Sequence, residues 1–209
     1  INSDQEAINT RDGESGIITL EFDVADNQTL KSITSFQEMD RFLRDDLDST
    51  DANLFGQNNY TEQSESWSQE VTYNFSGDRL DVLAGAMYFE EELYGQVLVP
   101  LTNICALLAP ELCGTPVGDF LSTGRYEQNG DVDIEAYGIY AEASYQLTEA
   151  FKIIAGVRYN YEERSGTGAF VFDAAGLDVP TNQSEDWSDV TPRLTVEFEP
   201  NDNMLLYAT

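Results

Sequence analysis

The chain has 209 residues, 41% of them apolar, with 11 Tyr, 11 Phe and 2 Trp, which is too much apolar material for a disordered segment. Ten Lys and Arg stand against 39 Asp and Glu, a formal net charge of −29. A nucleic-acid binder needs a basic face to displace counterions from phosphates, so that class is excluded.

The chain has no His, which removes the commonest metal ligand and the commonest general base near neutral pH. No run approaches the ~20 apolar residues of a membrane-spanning helix, but membrane barrels cross with short alternating strands and are not excluded by this. Residues 1–6 are polar and lack the basic start and apolar run of a signal peptide.

Period-two alternation marks a strand with two unlike faces. The first instance sets Ile18, Leu20, Phe22 and Val24 against Thr19, Glu21 and Asp23. A turn at Asp26-Asn27-Gln28 leads to a strand from Thr29 to about Leu43. Next, Trp67, Gln69, Val71, Tyr73 and Phe75 alternate with Ser68, Glu70, Thr72 and Asn74. After the turn Ser76-Gly77-Asp78 a strand runs from about Leu80 to Glu91. Both faces of the strands starting at Thr29 and Leu80 hold apolar residues, so alternation alone assigns neither of them an apolar side.

Further along, Tyr137, Ile139, Ala141, Ala143, Tyr145 and Leu147 alternate with Gly138, Tyr140, Glu142, Ser144 and Gln146. Past Thr148-Glu149-Ala150, the residues Phe151, Ile153, Ala155, Val157, Tyr159 and Tyr161 alternate with Lys152, Ile154, Gly156, Arg158, Asn160 and Glu162. Finally Pro192, Leu194, Val196 and Phe198 alternate with Arg193, Thr195 and Glu197. The turn at 200–203 opens a last strand that is still running at residue 209.

The pattern is four hairpins with short turns, joined by long polar segments at about 45–65, 95–133 and 165–186. Membrane barrels sort short turns to one side and long loops to the other; a soluble sandwich has no reason to do so. Trp67, Phe89, Tyr159, Tyr161 and Trp187 near strand ends suit an aromatic belt at headgroup level. The fold expected is an all-β, antiparallel transmembrane β-barrel segment of about eight strands.

Several stretches resemble TonB-dependent receptors: residues 68–73 followed by 83–89, residues 137–143 through 155–159, and residues 190–194 with 204–208. These cover about half of the chain. The resemblance implies a roughly 22-stranded barrel with a plugged lumen, in the bacterial outer membrane, of which residues 1–209 would be a part without the plug domain and signal peptide. It implies energised uptake of a scarce nutrient (iron chelate, cobalamin or oligosaccharide), with outer-membrane lipid, the protein's own plug and TonB as partners. A passive porin-type barrel and a secreted soluble β-sandwich for binding or adhesion are the alternatives.

Cys105 and Cys113 are the only cysteines, and outside the cytosol they are expected to form a disulfide. Two thiols without His make a poor zinc site. Ile104, Leu107, Leu108 and Leu112 have helical spacing, as a short loop helix or an apolar lip for ligand. The acidic run 45–51 lacks the Gly and distal bidentate Glu of a calcium loop and reads as solvated, and the run 129–133 is read in the same way. Glu142, Arg158, Glu162, Arg193 and Glu197 read as a wet lumen wall. No metal, cofactor or catalytic set is expected: without His there is no Ser–His or Cys–His pair, and among 39 acids any carboxylate pair arises by chance.

Overall fold

The computed structural model describes residues 6–47, 49–51, 54–56, 58–103, 105–201 and 203–209. Among these, eight strands form one antiparallel sheet: β1 (Ile8–Ala25), β2 (Gln28–Asp45), β3 (Asn58–Ser76), β4 (Leu80–Pro100), β5 (Arg125–Gln146), β6 (Phe151–Phe172), β7 (Leu177–Asn201) and β8 (Met204–Ala208). Each strand pairs with the next in sequence, so the sheet is an uncrossed meander. Short helices α1 (Cys105–Leu108) and α2 (Pro116–Leu121) lie in the β4–β5 connection.

The turns use local chemistry. Asn27 takes the positive φ of 59° between β1 and β2, a conformation that Asn tolerates better than most residues. Thr148 Oγ1 accepts hydrogen bonds from the amides of Ala150 and Phe151, closing the β5–β6 turn.

Register turns the strand patterns into two sheet-wide faces. Val71, Ala86, Ile139, Tyr159 and Val190 stand directly opposite one another in a single row. Tyr73, Ala84, Ala141, Val157 and Pro192 form the next, and Phe75, Val82, Ala143, Ala155 and Leu194 the one after. This settles the two ambiguous strands. Val82, Ala84, Ala86 and Tyr88 of β4, and Leu30, Ser32, Thr34 and Phe36 of β2, share the apolar face. Nothing among the described residues covers that face: Ile139 is 57% exposed and Leu194 60%.

The apolar band ends in an aromatic row, Tyr88–Tyr137–Tyr161, with the Tyr137 and Tyr161 rings stacked at 4.9 Å and Trp67 5.7 Å from Tyr88. Trp67, Tyr159 and Tyr161 belong to this face. Phe89 and Trp187 do not: they fall on the opposite face, in one row with Ala136 and Glu162. Sequence position marks a strand's end but not which way the residue points once neighbours set the register. Beyond the aromatics come two acidic rows, Glu90–Glu135–Glu163–Asp186 and Glu14–Glu38–Glu65–Glu92–Asp133. Like charges directly opposite are unfavourable in a sheet and are tolerable only in water.

The strands are longer than the alternation suggests. The expected polar connections shrink to residues 46–57, 101–124 and 173–176, and the third is a single turn. There the 3₁₀ segment Asp173–Ala175 is closed by Gly176 at φ 62°, a left-handed conformation that glycine adopts without strain. Residues 164–168, all polar or glycine, pair with both β5 and β7, and the ladder runs on to Phe172. Where both faces are wet the alternation fades, while the backbone ladder continues regardless.

Candidate functional site

The face opposite the apolar band carries a connected polar network. Tyr140 on β5 reaches across β4 to donate its hydroxyl to Glu70 Oε1 on β3, at 2.8 Å. Its ring lies over Gly85, where an added Cβ would stand 2.5 Å from the ring. Glycine here is therefore a requirement of close approach. Arg158 on β6 lies 6.0 Å from the Tyr140 ring centroid, donates through Nε to Asn160 Oδ1 at 2.6 Å and approaches Met87 Sδ at 3.4 Å.

A second bridge spans two strands in the same way. Arg193 on β7 and Glu142 on β5 approach to 3.5 Å across Gly156 of β6. Lys152 pairs with Glu197 at 3.0 Å, Arg164 with Glu162 at 2.5 Å, and the Arg164 guanidinium sits 6.0 Å from the Trp187 ring.

Glu142, Arg158, Glu162, Arg193 and Glu197 thus all lie on this one face. The structure brings Glu142 and Arg193 together and gives Glu162 and Glu197 partners outside the expected set, Arg164 and Lys152. Arg158 faces an aromatic ring, an amide and a thioether. The residues that sequence reasoning did not single out are Glu70, Tyr140 and the bare positions Gly85 and Gly156. A polar-side Tyr two strands from a Glu carries no local signal, since 70 residues separate them.

Charge is sorted between the faces. Seven of the ten basic residues, Arg11, Lys31, Arg41, Lys152, Arg158, Arg164 and Arg193, lie on the polar face. The acidic rows lie on the other.

Beyond those rows, Glu127 is 7% exposed. Side-chain hydrogen bonds from Asn129 and Gln96, both at 2.8 Å, hold its carboxyl below the usual carboxylate range against the opposing effect of burial; Arg125, 2.8 Å away, adds to the lowering.

In the β4–β5 connection Cys105 and Cys113 are joined as a disulfide with Cα atoms 5.5 Å apart. Thr115 caps α2, its hydroxyl accepting from the Gly118 amide. Cys105, Ala106, Leu107 and Leu108 form α1; Ile104 lies outside the described residues, as do the side chains of Leu107 and Leu108. Of the first acidic run, Asp45 accepts from Asn58 and Asp46 from the Ser49 amide, and Asp48 lies outside the described residues. The run 129–133 is part of β5. Among the described residues no group of three potential metal ligands is gathered.

Comparison with known proteins gives one family. The model described as TonB dependent receptor-like, beta-barrel matches residues 2–209. No curated protein sequence matches. Similar solved structures include the ferric yersiniabactin uptake receptor FyuA from Yersinia pestis, at 15% identity and TM-score 0.73, covering 94% of this chain and 27% of that one. The siderophore receptor PiuA from Acinetobacter baumannii follows at 15% and 0.64, covering 95% and 32%. The copper transporter OprC matches at 11% and 0.67, covering 98% and 31%. The chain spans about a third or less of the length of these structures.

Proposed function

The chain belongs to the TonB-dependent receptor β-barrel family, and from that membership we propose that it forms part of the wall of an energised uptake receptor in the bacterial outer membrane. The observation that carries this reading is the uncovered apolar face, bounded by an aromatic row and then by acidic rows. Rings with one apolar and one wet neighbour suit the headgroup level, and the acids beyond them suit water. In water such an apolar patch would drive aggregation; against lipid it needs no cover.

The opposite face then lines the lumen. Its basic residues, ion pairs and bridging tyrosine make a hydrated, rigid wall for a plug and a passing substrate to meet. The outer edges of β1 and β8 have no partner strand among the described residues, and unpaired edges are too costly in lipid. Further strands close the barrel on this reading, a plug fills it, and TonB supplies the energy through that plug. The cargo is a small scarce nutrient: an iron chelate, cobalamin or an oligosaccharide. The similar receptors named above take up siderophores or copper, which favours a metal or its chelate.

Fractionation of the full-length product, followed by uptake assays with and without TonB, tests the reading. Recovery from outer membranes only with detergent, and uptake abolished by TonB loss, is the expected result. Recovery in the aqueous phase, or uptake indifferent to TonB, would overturn it.

A further inference from the structure

We propose that the loop end of the polar face holds a trough that binds the flat face of an uncharged ring, aryl or sugar, carried by the transported molecule; this rests on the uptake reading above. Gly95, Gly130 and Gly168 stand directly opposite one another on β4, β5 and β6. Three adjacent strands therefore lack side chains at one level. The cavity over them is about 440 Å³, within the ~300–1,000 Å³ range of small-molecule sites. The row on its loop side supplies Val97 and Gln128 as one wall; the row on the other side supplies Leu93 and Val132.

Glycine inside a strand usually means that backbones approach closely. That explains Gly168, where a Cβ would run into the Asn129 carbonyl oxygen, and Gly130, where it would lie 3.1 Å from the Thr167 oxygen. It does not explain Gly95. A Cβ there meets nothing within 4 Å, and its backbone does not require glycine. Glycine in a strand interior weakens it, so the bareness of Gly95 serves the space above it.

The chemistry of the trough selects the ligand. No Lys or Arg is among the described lining residues and the one charged residue is the acid Asp131, whose strand position belongs to the opposite face, while Gln128, Gln183 and Thr181 offer neutral donors and acceptors. An anionic chelate would lose its hydration here without a cation in return. Val97 also lines a second cavity of about 440 Å³, whose other walls include Val99, Tyr126 and Phe172. Asn58 borders that cavity and keeps a buried Oδ1 with no hydrogen-bond partner, an acceptor available to a ligand hydroxyl. Apolar surface with amide and hydroxyl edges suits a ring that presents an apolar face and a polar rim.

The test uses the full-length receptor in detergent with three probes in equilibrium dialysis: maltotetraose, the neutral iron chelate ferric tris-maltol, and anionic ferric citrate. The parent is expected to bind one of the two neutral probes, which distinguishes sugar from aryl-type cargo. Gly95→Val fills the trough and weakens that binding at least tenfold. Gly16→Val, at an equally open strand glycine on the apolar face, leaves it unchanged. Gly95→Ala decides the matter if valine impairs folding, with a loss of a few-fold. Undiminished binding by the Gly95 variants, preference for ferric citrate, or failure to bind either neutral probe overturns the trough. Uptake that survives TonB loss would instead overturn the transport reading and leave the binding result standing.

Discussion

The turn-end half of the sheet and its loop-end half are built on the same strands but obey different rules. In the turn-end half, Ile139, Val157 and Leu194 face one way and Tyr140, Arg158 and Arg193 the other, and the alternation is visible in the sequence. In the loop-end half, β6 runs on through residues 164–172 with full pairing on both sides and little alternation. The difference teaches that alternation reports unlike surroundings and not the strand itself. On the proposed membrane reading, lipid on one side and water on the other write a period of two, and water on both sides leaves only the backbone ladder. On this reading strands of 18 to 25 residues in β1–β7 exceed the ~9–11 needed to cross a bilayer, and the surplus forms a wall outside it.

The sharpest way to break the comparison is to place a charge on each face. Val157→Asp and Leu194→Asp put an acid in the apolar band at a cost of ~1–3 kcal/mol, and the fraction of heat-modifiable, membrane-assembled barrel should fall. Arg158→Asp should be milder, because its face is already wet. Equal damage from all three would mean that the two faces are not lipid and lumen.

A smaller effect is expected within the polar face. Gly85→Val drives a side chain into the Tyr140 ring and should destabilise the barrel by roughly 1–2 kcal/mol in urea unfolding. Tyr140→Ala should suppress that loss in the double variant. No suppression would mean that the Tyr140–Glu70 bridge does not form over Gly85.

The smallest effect belongs to the loop end. The Glu127 carboxyl is held below the usual range, so its contribution to stability is present at neutral pH and disappears as pH falls through that lowered value. Glu127→Gln should make the loop end more protease-sensitive at pH 7, and the difference from the parent should shrink as the pH is lowered through the acid range. A difference that stays the same at every acid pH would assign Glu127 a role independent of its charge.

Much of this was legible in the chain. The composition and lack of His ruled out nucleic-acid binding and His-based chemistry. The alternation located four hairpins, their turns and the faces of β3, β5, β6 and β7, because those side chains meet unlike surroundings every second residue. The candidate wall residues Glu142, Arg158, Glu162, Arg193 and Glu197 fall on one face for the same reason. Only the tertiary structure decided the faces of β2 and β4, the placing of Phe89 and Trp187 on the polar face, the extent of the strands past the acidic rows, and the pairing of Tyr140 with Glu70 and Arg193 with Glu142. The faces and pairings depend on register between strands tens of residues apart, and a shift of one residue would have put every one of these side chains on the other face of its neighbour.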